Sequence, residues 1–275
     1  MGLRINTNTA SLNAQRNLTQ TTESLQRSLE RLSSGLRITR ASDDAAGLAI
    51  SERFRAEVRS LGQAQRNAMD GISMLQIAEG ALNETSGILI RLRELAIQSA
   101  NGTLGTGERA AVDAEFQALV QEIDRVSQVT EFNGTALLDG SAVTVTFQVG
   151  ANNSVNDQIS VTGVDATSTG IGVNTLLVDT QANAQLAIAG VDAAIDSVTS
   201  LRAAFGTAQN RLESTIRSIA VSVENTSAAE SRIRDVDVAS ETALMTRAQV
   251  LQQAGIAVLA QANVSTQSAL ALLRG

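Results

Sequence analysis

A seven-residue repeat running from Val191 to Ile233 constrains this chain more than any other feature. One set of positions is Val191, Val198, Phe205, Leu212, Ile219, Thr226 and Ile233; the interleaved set is Ala194, Leu201, Ala208, Thr215, Ser222 and Ala229. No proline interrupts it, and the spacing is that of a helical seam sustained over about six heptads. As a helix the stretch would be about 65 Å long at 1.5 Å per residue, far beyond the usual three turns. Such a helix cannot bury its seam on itself. Another segment of this chain, or another copy of it, must lie alongside.

Composition supports long helices and removes much chemistry. The chain has no Pro, His, Cys, Trp, Tyr or Lys, and all 21 basic residues are Arg. Proline would break a helix by removing a donor and clashing with the preceding turn. Aromatics at 2% leave the core to Leu, Ile, Val and Ala, which suits thin helix-on-helix seams. Without His or Cys there is no ordinary zinc site, thiolate nucleophile or Ser-His-Asp triad. Without Lys there is no P-loop and no Schiff base. No catalytic, cofactor-binding or metal-binding residue is therefore assigned, and no enzyme is expected. A net charge of −7 and a pI near 4.8 argue against a nucleic-acid partner. The charge is uneven, since residues 1–66 carry ten Arg against six acids. The polar start Met1-Gly2-Leu3-Arg4 lacks an apolar signal region, and Asn6 breaks the myristoylation pattern at Gly2. The apolar run from Ala254 to Ala260 is too short to span a bilayer, so no membrane insertion is expected.

Read in order, residues 1–40 form a helix with a narrow leucine seam at Leu18, Leu25, Leu29, Leu32 and Leu36, weakened at Gly35. Ser42, followed by Asp43 and Asp44, reads as the cap of a new helix. That helix repeats Leu61, Ala68, Leu75, Leu82, Leu89 and Ala96 at spacing seven, interleaved with Ala64, Gly71, Ala78, Thr85, Leu92 and Ser99. Asn101-Gly102 ends it. A third helix covers 108–130 with Val112, Phe116, Leu119, Ile123 and Val126 on one face. The period then changes to two: Val143, Val145, Phe147 and Val149 face one way, and Ile159 and Val161 mark a second strand, which reads as a small hairpin. Residues 163–180, rich in Gly, Thr, Ser and Asn, read as irregular surface loop. After Ile233, the run Arg234-Asp235-Val236-Asp237-Val238 reads as a linker, and a last helix carries Leu244, Leu251 and Val258 at spacing seven.

The expected fold is mainly α: a long antiparallel helical bundle with one small β-hairpin region. Leu61–Ser99 should pack on Val191–Ile233, with the third helix completing a three-helix bundle. The two end helices have seams too narrow to stand alone in water and should pair with each other. Further apolar residues (Leu3, Ile5, Leu12, Val250, Ile256 and Leu259) would remain outside that pair. Unlike surfaces that meet without closing build a filament, so self-association is expected.

The residues also carry a resemblance. Ile5-Asn6-Thr7-Asn8, the run Leu29-Glu30-Arg31-Leu32-Ser33-Ser34-Gly35-Leu36-Arg37-Ile38, Asp43-Asp44-Ala45-Ala46-Gly47-Leu48-Ala49-Ile50 and Asn67-Ala68-Met69-Asp70-Gly71-Ile72-Ser73 resemble the N-terminal region of bacterial flagellins. Arg247-Ala248-Gln249-Val250-Leu251-Gln252-Gln253-Ala254-Gly255, Ala260-Gln261-Ala262-Asn263 and the closing Leu272-Leu273-Arg274-Gly275 resemble their C-terminal region. The resemblance implies a secreted subunit of the flagellar filament, exported by a type III apparatus and self-assembled for motility. Only about 40 residues stand where flagellins carry outer variable domains, so this would be a short form lacking them. It implies an inner-tube domain from residues 1–42 and 235–275. It also implies a rod-like bundle from 43–180, with the hairpin near 141–163, completed by the long helix of 181–234.

By the same resemblance, Leu18, Leu25, Leu29, Leu32, Leu36, Leu244, Leu251, Val258 and Leu259 would line the inner tube and drive polymerisation. An export chaperone, a cap and hook-junction proteins would be partners. Arg91, Leu95 and Glu115 match a patch that Toll-like receptor 5 recognises in many flagellins. A hook–filament junction protein shares the terminal helices and is the nearest alternative, although the closing motif favours flagellin. A chemoreceptor-like signalling hairpin also uses long heptads, but the period-two stretch at 143–161 argues against it.

Overall fold

The computed structural model describes residues 7–274, with side chains described over 7–264; Leu3 and Ile5 lie outside them. Among the described residues there are five helices: α1 (Thr9–Ser34), α2 (Ala45–Ala100), α3 (Thr106–Val129), α4 (Gln181–Arg234) and α5 (Val238–Arg274). Between α3 and α4 lie four short strands, β1 (Glu131–Phe132), β2 (Thr135–Ala136), β3 (Thr144–Gln148) and β4 (Gln158–Thr162). The fold is mainly α, as the heptads imply. The chain divides into two compact units, residues 57–224 and residues 1–56 with 225–275.

In the unit formed by residues 57–224, α2 and α4 run antiparallel. Arg93 Nε donates to Asp192 Oδ1 at 2.6 Å, Arg202 lies 3.7 Å from Glu79, and Leu61 and Ala64 cluster with Ile219. All twelve α2 seam positions from Leu61 to Ser99 are buried. From α4, Val191, Ala194, Val198, Phe205, Leu212 and Ile219 join them, while Leu201 and Ala208 are half-buried. In several α2 heptads a large seam residue alternates with a small one, as Leu61 with Ala64 and Leu75 with Ala78. At Gly71 the packing is tight: a Cβ there would lie 3.1 Å from Leu212 Cδ1 and 3.3 Å from the Phe147 ring. Each fully buried leucine contributes about 1.5–3 kcal/mol. On α3 the buried stripe is Val112, Phe116, Val120, Ile123 and Ser127. Leu119 and Val126, expected in that stripe, are only half-buried.

The β region differs from expectation in one respect. Beside the β3–β4 hairpin, whose register pairs Val145 with Val161 and Phe147 with Ile159, a second hairpin, β1–β2, precedes it. Its turn is Asn133-Gly134, with φ of 50° and 75°, the left-handed pair that a two-residue hairpin turn demands. The β3–β4 hairpin presents Val145, Phe147, Ile159 and Val161 to the core, and Asn67 Nδ2 donates to its Gln148 carbonyl at 2.9 Å.

Residues 163–180 are not a surface loop. Ala166, Ile171, Val173 and Val178 are buried in the main core. Polar groups on α3 and α2 hold this segment down. Asp124 accepts from the Ser168 N–H and hydroxyl at 2.7 and 2.8 Å, Asp113 accepts from the Val178 N–H at 2.8 Å, and Ser99 donates to the Val178 carbonyl. A buried irregular backbone needs such partners for its amides and carbonyls.

In the unit formed by residues 1–56 and 225–275, α1 and α5 pair antiparallel. α1 stops at Ser34, because Gly35 adopts φ 72° and its N–H donates to the Arg31 carbonyl at 2.9 Å, the usual left-handed helix stop. Leu36, expected in the helical seam, therefore lies beyond the helix, in a bridge to Asp235. α2 begins not at Ser42 but after Asp44, whose Oδ1 accepts the Gly47 N–H at 2.8 Å. Asp43 accepts from Thr39 and Arg40 instead. α4 ends at Arg234, and Asp237 caps α5 by accepting the Ala239 N–H at 3.0 Å.

Candidate functional site

The chemistry of this chain lies in how its end helices pair and what they leave uncovered. On α1 the positions turned toward α5 include Ser11, Ala14, Leu18, Thr21, Leu25, Ser28 and Leu32, alternating by three and four, with Thr22 and Arg31 flanking them. On α5, the positions from Glu241 to Ala262 that are not exposed are Glu241, Met245, Ala248, Gln252, Gly255, Leu259 and Ala262, with the same alternation. Both sets are coiled-coil seams. They are made largely of small and polar residues, so they bury little apolar area.

Polar contacts run the length of this seam. Asn8 Nδ2 donates to the Ala262 carbonyl at 2.9 Å and Ser11 Oγ to Asn263 Oδ1 at 3.1 Å. Gln252 Nε2 donates to Thr22 Oγ1 at 3.4 Å, and Arg31 Nη1 lies 3.7 Å from Glu241 Oε2. Glu241 is only 6% exposed.

The nine residues expected to drive polymerisation divide by this geometry. Leu18, Leu25, Leu32 and Leu259 are half-buried in the intrachain seam, and Leu36 sits in the connection. Leu29, Leu244, Leu251 and Val258 face outward, the last three 48%, 52% and 58% exposed. Spacing of seven at Leu244, Leu251 and Val258 thus marks a second stripe, next to the one that α1 covers. Val250 widens it, while Ile256 and Val264 are exposed on other faces of α5. Between Thr242 and Val264 the only charged residue is Arg247. A helix that shows water so many large apolar side chains and so little charge is an unfinished surface. A groove of about 780 Å³ between the helices, bordered by Leu18, Leu244, Leu251 and Val258 with Arg27, Arg31 and Arg247 toward one end, continues it.

A second patch lies at the C-terminal part of α2. Arg91 donates to Glu115 Oε1 on α3 at 2.8 Å and to Glu94 at 2.9 Å, and all three are exposed. The Glu115 hydrogen bond first, and Glu94 after it, hold the Arg91 guanidinium above its ordinary pKa. Leu95 does not share this surface: it is 1% exposed and packs in the main core.

Among the described residues no three His, Cys, Asp or Glu side chains come together as a metal site. Asp235 and Asp237, read as linker residues, respectively bridge to Leu36 and cap α5. No described helix is long and apolar enough to cross a membrane.

Two family models match this chain: the bacterial flagellin N-terminal helical region over residues 5–143 and the bacterial flagellin C-terminal helical region over residues 188–273. A flagellin of Halalkalibacterium halodurans is 48% identical over 270 residues, covering 98% of this chain and 99% of that protein. A flagellin of Bacillus subtilis is 44% identical over 308 residues, covering 99% and 100%. Among solved structures, the crystal structure of Bacillus cereus flagellin is 32% identical with a TM-score of 0.51, over 56% of this chain and 88% of that one.

Proposed function

The chain belongs to the bacterial flagellin family, and from that premise we propose that its copies join through the apolar stripe that α5 leaves uncovered. As a flagellin it is a structural, non-enzymatic subunit that polymerises into the extracellular flagellar filament for motility. The stripe of Leu244, Val250, Leu251 and Val258, nearly free of charge, carries the proposal. Burying such a stripe against a neighbour is worth about 25 cal/mol per Å² of apolar surface removed from water, before the entropy of association is subtracted. In this reading residues 1–42 and 235–275 make the inner tube, and 43–180 with 181–234 make the surrounding bundle.

Further partners belong to the same reading. The uncovered α5 stripe suits an export chaperone that shields it before assembly. Cap and hook-junction proteins would meet the chain ends at the two ends of the filament. The Arg91–Glu115 pair offers a surface for Toll-like receptor 5, with Leu95 supporting it from beneath.

The test is Leu251→Asp together with Val258→Asp, each placing a charge in the middle of the stripe. The variants are expected to remain soluble and helical by circular dichroism while losing salt-induced filaments that sediment and appear in negative stain. Filaments of normal diameter from both variants would remove the stripe from the assembly surface.

A further inference from the structure

We propose that the ion pair between buried Glu241 and half-buried Arg31 sets the register of α5 against α1, and with it the shape of the surface each copy offers its neighbours. This rests on the assembly reading above. The two seams are unusual in offering few side chains that could fix their alignment. Leu18 packs on Gly255, and a shift by one heptad would set it against Ala248 or Ala262 instead, again a large side chain on a small one. Apolar packing of that kind specifies register weakly, whereas a buried polar or charged pair at one seam position is the best-attested way to specify it.

Glu241 fits that role in three respects. Its side chain is 8% exposed, and it is the only charged residue among those found buried. Its cation, Arg31, is on the facing helix at 3.7 Å, with a side chain 29% exposed. Seven residues before Arg31 stands Ser24, and seven after it stands Ile38, beyond the end of α1. A one-heptad slip in either direction therefore takes Glu241 away from Arg31. The Asn8 contact ends on a backbone carbonyl, which every turn of α5 offers, and the side-chain contacts Ser11 to Asn263 and Gln252 to Thr22 carry no charge.

The chain has no cysteine, so introduced pairs report register without background. A Cβ at Gly255 would lie 4.0 Å from Leu18 Cβ, inside the range that a disulfide spans. Leu18→Cys/Gly255→Cys then reads the observed register. Leu18→Cys/Ala248→Cys and Leu18→Cys/Ala262→Cys read the two one-heptad slips. Each reporter is doped at a low fraction into filaments of unmodified chain, so that cross-links form within a copy and assembly does not depend on the variant. In the natural background the Gly255 reporter is expected to oxidise about tenfold faster than either slip reporter. With Arg31→Met/Glu241→Met added, which replaces the ions by apolar side chains of similar reach, that preference is expected to fall to about threefold or less. The exchange Arg31→Glu/Glu241→Arg is expected to restore it. An unchanged preference in the methionine background, or failure of the exchange to restore it, would overturn the proposal. Failure of the unmodified chain to form filaments would instead count against the assembly reading.

Discussion

Replacing Leu212 by alanine removes the side chain that seals α4 against Gly71 of α2, and the two positions should be coupled. Leu212 is fully buried, and its Cδ1 would sit 3.1 Å from a Cβ at position 71. Leu212→Ala alone should cost about 3 kcal/mol, within the 2–5 kcal/mol range of buried leucine truncations. Gly71→Ala alone gains about 1 kcal/mol of helix propensity but crowds Leu212 and the Phe147 ring, at a cost of about 1–3 kcal/mol. Its net effect should be a loss of about 1 kcal/mol. Independent effects would sum to about 4 kcal/mol. In the double variant, however, the new methyl group meets a vacated site rather than Leu212, and the half-buried Phe147 can tilt away. A loss of about 2 kcal/mol is expected, and so a coupling of about 2 kcal/mol in favour of the pair. Urea denaturation of the four monomeric proteins, followed by far-ultraviolet circular dichroism, measures the cycle. Additivity within about 0.5 kcal/mol, the behaviour of sites that do not touch, would refute the close approach of α2 and α4 at this heptad.

Other expectations concern the connections. Asp124→Ala leaves the buried Ser168 hydroxyl and N–H without their carboxylate acceptor, so it should cost about 1.5–3 kcal/mol and open residues 163–180 to limited proteolysis. Asp43 accepts from the Arg40 N–H, which is the main cause that holds its carboxyl below the ordinary range, with Thr39 adding to it. A depressed pKa means the contribution is complete above the unfolded carboxylate value and lost as pH falls through the folded one. Amide protection at Thr39 and Arg40 should therefore persist at pH 4, be lost only as pH falls below the ordinary carboxylate value of about 3.9, and be absent at any pH in Asp43→Ala.

The two long helices were legible because their heptads are apolar, long and uninterrupted. Such a pattern both names the element and identifies its buried side, and every seam residue of α2 from Leu61 to Ser99 is buried. The end helices were legible only in part. Periodicity at Leu244, Leu251 and Val258 shows that an apolar stripe exists but not what covers it. The stripe that α1 covers runs through Glu241, Ala248 and Gly255, where side chains are charged or small and carry no hydropathy signal. It does keep the spacing of seven, which was the available clue. Residues 163–180 misled for a different reason. Their average composition is polar, yet single apolar residues at Ala166, Ile171, Val173 and Val178 reach the core, and the carboxylates that hold them, Asp113 and Asp124, lie on another helix. The end of α1 turned on Gly35, whose left-handed conformation stops the helix before Leu36. The Asn133-Gly134 pair was visible as a turn, but its flanking strands of two residues each are too short to show a period.

The central claim is that an exposed stripe on α5 becomes covered when copies join. Single cysteines at Leu251 and Val258, in a chain that otherwise has none, allow that to be read directly by the rate of maleimide labelling. Ser73, exposed on α2, supplies a control position. In the monomer all three thiols should label at similar rates. In the filament those at 251 and 258 should slow by at least about tenfold relative to that at 73. Labelling of 251 and 258 as fast in the filament as in the monomer would contradict the claim.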